Sequence, residues 1–322
     1  MVRLPNDSNA HAGAMPVVQT TALTRRVTGL SVATALVLVA IKLAALIVSG
    51  SVALLASLAD SGLDVIASLA TFAAVRWAAA PPDHEHRYGH GKAEAFASLL
   101  QAGLVFASAA LVGQEAIRRM ISPHPIAAEG WAMAAMAAST VLTLVLVSAQ
   151  ARVLRQTSSV AVAGDRAHYV VDVASNLAAF AGIGLSLWLN SPRWDAAAGL
   201  VVTAWLIWGA VKVFRDSSSQ LLDHELPDED RARIMARMTS DPRVRGVHQL
   251  RTRASGPYIH IQMHADLDPD LSLEQAHEVV IEAENRVLEE FPAADIIIHQ
   301  DPQDRARAHG GAFAEPEHHG HG

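Results

Sequence analysis

Two pairs of residues, each with its members four positions apart, have the types and placement to hold a metal ion. Asp60 and Asp64 lie in the apolar run ASLADSGLDVIASLATFAAV, residues 56–75. His168 and Asp172 lie in a second apolar run, residues 161–188. On a helix, positions i and i+4 share a face, so each pair is a two-ligand half-site. Together they offer three carboxylates and one imidazole, a donor set that suits Zn²⁺ in four-coordinate tetrahedral geometry. Three carboxylates exceed a dication by one negative charge. Partial protonation of the empty site would relieve that excess, which gives a basis for exchanging metal against protons. A charged group at bilayer depth costs at least ~2.5 kcal/mol, so such groups are rarely idle. Interfacial polar groups, helix-pairing contacts or a pure proton relay would use the same residue types. The matched spacing favours a shared ion. Asn176, one turn beyond Asp172, reads as a helix-packing contact.

Other candidate donors lie outside these runs. The loop PPDHEHRYGHGK carries Asp83, His86 and His90 at ligand-like spacing, with His84 nearby; a solvated polar loop is the alternative. Late in the chain stand His248, His264, His277, His299 and Asp301. Along 259–264 the residues alternate, with Ile259, Ile261 and Met263 on one strand face and His260, Gln262 and His264 on the other. The polar face is the expected ligand face. Each of these histidines taken alone reads as a surface residue, but histidine on most elements of one small domain is unusual. His309, His318, His319 and His321 in the tail suggest no defined site.

The elements that must position these groups follow from hydropathy. The chain has 322 residues, 18% of them charged and 51% apolar, with mean hydropathy +0.23. That is a polytopic membrane protein carrying a soluble part, and it argues against a soluble enzyme. Net charge is −7 and there is no basic block of the kind nucleic acid demands. Cysteine is absent, so disulfides are excluded and any metal site uses nitrogen and oxygen donors. Apolar spans at 26–49, 53–78, 93–118, 130–153, 160–189 and 195–216 are each long enough for a hydrocarbon core of ~30 Å. The first is too long for a cleavable signal and should remain an anchor.

Lys and Arg are unevenly shared between the two sides. One side receives Arg25, Arg26, Arg76, Arg87, Lys92, Arg152, Arg155, Arg166 and Arg215; the other receives Arg118, Arg119 and Arg193. The richer side should be the cytoplasm, with both termini there. Helix 2 then runs inward and helix 5 outward. At 1.5 Å per residue, Asp60 and Asp172 both lie ~12 Å from the outer face, and Asp64 and His168 both ~18 Å.

The expected architecture is an α-helical membrane protein with six transmembrane helices in residues 25–220, after a disordered segment 1–24. A small cytoplasmic α+β domain of order α-β-β-α-β follows at 221–303, then a disordered tail, 304–322. The expected soluble elements are a helix at 227–240 opened by Pro227, strands at 246–253 and 257–266 broken by Gly256 and Pro257, a helix at 272–290 and a strand at 294–299. Ser272 and Gln275 resemble a capping box, with Glu274 adding favourable charge.

The motifs LADSGLD, DHEHRYGHGKAEAFASL, HYVVD, LLDHELPDE and GVHQLRTRASGP…IQMHADL…QAH…IIIHQDP resemble the cation diffusion facilitator family, bacterial zinc/ferrous-iron efflux type, over about residues 25–303. The resemblance implies a homodimer in the bacterial plasma (inner) membrane whose cytoplasmic domain has a metallochaperone-like fold. It implies a transport site at Asp60, Asp64, His168 and Asp172, and a loop site at Asp83, His86 and His90. It further implies a binuclear cytoplasmic site at His248, His264, His277, His299 and Asp301, with Gln300 between the last two. A dimer-supporting charge interlock would fall on Lys92 and Asp223. The Asp-Asp-His-Asp set is similar to the zinc branch, whereas the manganese branch lacks this histidine. The short connection between helices 4 and 5 lacks the His-rich insert of many eukaryotic zinc members. His260 and the tail histidines are not part of the family pattern.

The function implied is proton-coupled export of a divalent cation by alternating access, zinc foremost, with Fe²⁺, Cd²⁺, Co²⁺ or Ni²⁺ unranked by the sequence because affinity orders at N/O sites are general. Cytoplasmic metal binding would regulate it. A membrane-anchored metal sensor is the alternative. An intramembrane metallohydrolase would need an open coordination position and a general base, and no His-Glu-x-x-His motif is present.

Overall fold

Proline marks the joints of the membrane part. Pro16 precedes the first long apolar run, Pro81, Pro82, Pro123, Pro125 and Pro192 fall between runs, and none of them falls within one, as expected of a residue that removes a helix hydrogen bond. A computed structural model describes residues 12–49, 52–122, 130–188 and 193–305. Its first six elements are the helices α1 (Val17–Ser49), α2 (Val52–Ala78), α3 (Ala93–Ile121), α4 (Gly130–Leu154), α5 (Val160–Trp188) and α6 (Arg193–Leu221). Among the described residues, four of them are apolar and long enough to cross a membrane by composition. The other two, α2 and α5, are as long, at 27 and 29 residues, and carry the charged pairs.

The bundle is inside-out. Leu36, Ile66, Leu111, Val145 and Trp208 are exposed, while Ser61, Asp64, Gln101, Gln150, Asp165 and His168 are buried. Lipid accounts for the apolar exterior. Helix α5 packs against each of the other five helices, and α3 lies along α6. That central place puts His168 and Asp172 where several helices can reach them.

One boundary differs from the sequence expectation. Helix α1 begins at Val17, so residues 17–24, expected to be disordered, are helical, and the amides of Gln19 and Thr20 reach the Pro16 carbonyl. Just before it, Ala12 is buried in the core of the soluble domain, and the Ala293 N–H donates to the Gly13 carbonyl at 3.3 Å. The N-terminal segment before residue 12 and the tail histidines lie outside the described residues.

The soluble domain comprises α7 (Asp228–Met238), β1 (Val244–Ser255), β2 (Tyr258–Leu267), α8 (Leu273–Glu290) and β3 (Ala294–Pro302). The sheet order is β1-β2-β3, with β1 antiparallel and β3 parallel to β2. Ile234 and Met238 of α7 and Val279, Val280, Ala283 and Val287 of α8 share one core with Ile259, Ile261 and Met263 of β2. The other sheet face keeps the polar side chains. The capping box is present: Ser272 Oγ accepts from the Gln275 amide at 3.2 Å and the Gln275 side chain accepts from the Ser272 amide at 2.9 Å. Pro227 occupies the N-cap of α7 rather than its first helical position. Gly256 takes φ +57° in the two-residue loop joining β1 to β2, a conformation glycine adopts without a Cβ penalty.

Candidate metal centres

Helix α2 runs toward the soluble domain and α5 runs away from it, so their polar residues form a ladder. Asp60, Asp64, Ser68 and Thr71 descend α2, while Asp165, His168, Asp172 and Asn176 ascend α5. Asp64 and His168 meet in the buried interior, with Oδ1 and Nε2 2.8 Å apart. Asp64, His168 and Asp172 each bring a ligand atom to within 4.8 Å of the others. Asp60 is not in that set; it is exposed and lines the same cavity of about 240 Å³ as Asp64 and Asp172. Thus the level match expected between Asp64 and His168 appears as direct contact, whereas Asp60 stands back from the other three. The buried His168 Nδ1 has no partner, so the ring can carry its proton there and offer the Nε2 lone pair to a metal.

The cavity lies on the side of this cluster away from the soluble domain, with Ser139, Thr143, Ser175 and Asn176 in its wall. Asn176 Nδ2 donates to Thr140 Oγ1 at 2.9 Å, a bond from α5 to α4. Lys42 of α1 also lines the cavity, its Nζ donating to Ser61 Oγ at 2.6 Å. This cation was not singled out from the sequence. A lysine seven residues from the end of an otherwise apolar span was the signal that could have found it.

The loop residues converge as well. Asp83 carboxylate oxygens lie 3.4 Å from His86 Nδ1 and 3.2 Å from His90 Nε2, and the two imidazoles are 4.5 Å apart. Asp83 accepts backbone N–H groups from His86 and Glu85, and these hold its carboxyl below the usual value. An ionised carboxylate between two imidazoles is a workable divalent-metal set. His84 is not part of the cluster.

In the soluble domain, strand register does the assembly. His248 pairs with His264, and His264 with His299, across three adjacent strands; Asp266 pairs with Asp301 one step further on. Asp301 is the hub. Its oxygens lie 2.7 Å from His264 Nδ1, 3.4 Å from His248 Nε2 and 3.3 Å from His299 Nε2. Asp266 also approaches His248, at 3.5 Å; it was not singled out, although its alternation with His264 places it on the same face. Two expected members stand apart. His277 is on the exposed surface of α8, outside the cluster. Gln300 falls between His299 and Asp301 on β3, so strand alternation directs it to the opposite sheet face.

The charge pair expected at Lys92 and Asp223 forms within the chain. Lys92 Nζ is 2.9 Å from Asp223 Oδ1, and Arg253 Nη1 approaches the other oxygen at 3.2 Å. These contacts join the start of α3 to the end of α6 and to β1. Beside them Gly91 touches the hairpin so closely that a Cβ there would lie 2.0 Å from the Ser255 carbonyl oxygen.

Residues 29–222 match the cation efflux transmembrane domain, and residues 226–303 match the cation efflux protein cytoplasmic domain. The cation-efflux pump FieF of Klebsiella pneumoniae is 40% identical over 265 residues, spanning 82% of this chain and 88% of the relative. FieF of Cronobacter sakazakii is 40% identical over 268 residues, 83% of this chain and 89% of its own. A solved structure of CzrB in its Zn form covers 26% of this chain and 98% of its own, at 31% identity and a TM-score of 0.24.

Proposed function

The chain belongs to the cation efflux family, and we propose that it exports Zn²⁺ in exchange for protons, by alternating access around Asp60, Asp64, His168 and Asp172. As a cation-efflux transporter it moves divalent metal and is not an enzyme. The observation that carries the finer reading is the Asp64–His168–Asp172 cluster, with Asp64 and His168 buried and Asp64 and Asp172 lining a cavity.

The chemistry follows from the donors. In the absence of metal, His168 Nε2 and Asp64 Oδ1 stand at hydrogen-bonding distance, 2.8 Å, so the pair can share a proton. A dication needs the Nε2 lone pair and ionised carboxylates, so binding releases protons and protonation releases metal. Lys42 offsets the third carboxylate, so that a loaded site of three carboxylates, one ammonium and one dication is electrically balanced. Metal would enter from the cytoplasm, leave on the far side, and be replaced there by protons returning down their gradient. His248, His264, His299 and Asp301 would bind a resident metal whose occupancy tightens a homodimer and biases the helices, a coupling that must be reciprocal. The loop set Asp83, His86 and His90 would hold another. The charge distribution of the loops supports a bacterial inner-membrane location with both termini cytoplasmic.

A panel of Zn²⁺, Cd²⁺, Fe²⁺, Co²⁺ and Ni²⁺ fluxes in proteoliposomes at one fixed pH gradient tests this reading. Zinc should move fastest, and Asp172→Ala should abolish its flux. Equal zinc flux in the variant would refute the assigned site.

A further inference from the structure

Beneath the metal cluster, toward the soluble domain, the ladder closes in two tiers. In the first, Tyr169 is fully buried against Leu38 and Leu146. Its hydroxyl donates to the Ser31 carbonyl at 3.2 Å and therefore accepts from Ser68 Oγ at 2.8 Å. In the second, Asp165 is fully buried between two carboxamides. Gln150 Nε2 reaches Asp165 Oδ2 at 2.8 Å and Ser31 Oγ at 3.2 Å. Gln101 Nε2 reaches Asp165 Oδ1 at 3.3 Å, Thr71 Oγ1 at 3.0 Å and the Ala67 carbonyl at 3.3 Å. These bonds tie α1, α2, α3, α4 and α5 together at one level, and Asp165 is the acceptor on which both carboxamides converge.

We propose that Asp165 is a further residue of the transport reaction: with Gln101 and Gln150 it forms a clasp that seals the metal cluster from the cytoplasm and must open for each ion to enter. This rests on the exporter reading. Three observations support it. The clasp lies on the path between the soluble-domain side and the cluster, whereas the cavity lies on the other side. It joins helices that would have to part if the cluster were exposed to the opposite face. Finally, Gln101 Oε1 and Gln150 Oε1 are buried with no partner. A buried acceptor left unsatisfied opposes the closed arrangement, because water would satisfy it on opening. The seal is therefore strong in geometry yet offset in free energy, as a gate that opens once per cycle requires.

The chain has no cysteine, so single reporters can be read without background. Val75→Cys lies one turn below Thr71 and is buried; Ser175→Cys lines the far cavity. Labelling with a hydrophilic maleimide is compared between wild type and Asp165→Asn, with zinc flux through Asp64→Asn measured in parallel. Asp165→Asn should speed labelling at Val75→Cys about tenfold and slow it at Ser175→Cys, while zinc binding per chain is retained. Gln150→Leu should shift both reporters in the same directions, which keeps the test decisive if Asp165→Asn folds poorly. Unchanged rates at both reporters, or acceleration at both together, would overturn the clasp. Undiminished zinc flux through Asp64→Asn would instead overturn the exporter reading beneath it.

Discussion

Asp64→Asn isolates the charge of one ligand from its shape. Asparagine keeps an oxygen that can accept from His168 Nε2, now 2.8 Å from Asp64 Oδ1, so the helix contact survives. Around a tetrahedral zinc at ~2.0–2.1 Å from each donor, neighbouring ligand atoms sit about 3.3 Å apart. The Asp64–His168 pair is therefore half an ångström too close for metal and right for a proton, and it must part slightly on loading. An ion equidistant from the three donors Asp64, His168 and Asp172, spread by no more than 4.8 Å, lies within ~3 Å of each. At an effective dielectric of ~20, a dication and one carboxylate at that distance attract by about 11 kcal/mol before desolvation. Desolvation offsets most of this. The remainder should exceed what loss of an outer-shell partner costs, which reaches ~100-fold in affinity. We therefore expect Asp64→Asn to weaken zinc binding at this site at least ~100-fold, or about 2.7 kcal/mol. Calorimetry in a background carrying Asp83→Ala and His264→Ala removes the other two clusters from the signal. A change of less than ~3-fold would refute the assignment of Asp64 as a ligand.

Asp301→Asn, which removes the hub charge without changing volume, should cost the soluble domain at least one bound zinc per chain in calorimetry while its circular dichroism is unchanged. Gly91→Ala must push the loop from the hairpin, because its Cβ would meet the Ser255 carbonyl at 2.0 Å. Transport should fall several-fold with zinc affinity at the membrane cluster intact, as flux and calorimetry together would show. Lys42→Met removes from the cavity wall a cation that repels the dication and should tighten zinc there by about tenfold, or ~1.4 kcal/mol, with slower release visible in stopped-flow. Burial holds the His260 imidazole below its usual 6.5, with Asp295 opposing that shift and Arg253 reinforcing it. The unfolded chain then takes up a proton near pH 6.5 that the folded chain refuses, so stability is full above that pH and falls below it. Between pH 7.5 and 5.5 the melting temperature should drop less in His260→Gln than in wild type.

The parts of this molecule that were legible in the sequence obey simple periods. Asp60/Asp64 and His168/Asp172 stood out because a charged residue in an apolar run has few innocent explanations, and helical spacing fixed their faces. Alternation along 259–264 identified the polar face of β2, and Ser272 with Gln275 announced the start of α8. What escaped depends on distance in three dimensions. Asp165 is only three residues from His168, but its role rests on Gln101 and Gln150, which come from other helices and look ordinary in sequence. Lys42 was visible as a charge, yet its relation to Asp60 required the packing of α1 on α2. Gln300 is a different case: the family resemblance implies it at the cytoplasmic site, and the two-residue period of β3 directs it to the other sheet face from Asp301. The start of α1 lies earlier than the apolar run indicates, because residues 17–24 are helical without the continuous hydropathy that marks a span.

Simultaneous recording of Zn²⁺ and H⁺ fluxes in one population of proteoliposomes, with a zinc dye and a pH dye sealed inside, tests the central claim most directly. If Asp60, Asp64, His168 and Asp172 exchange metal for protons, an imposed pH gradient should drive zinc against its own gradient in wild type. The counterflow of protons should stop whenever zinc is withheld or Asp64 is replaced. Zinc movement that ignores the pH gradient, or proton flow that persists without zinc, would contradict it.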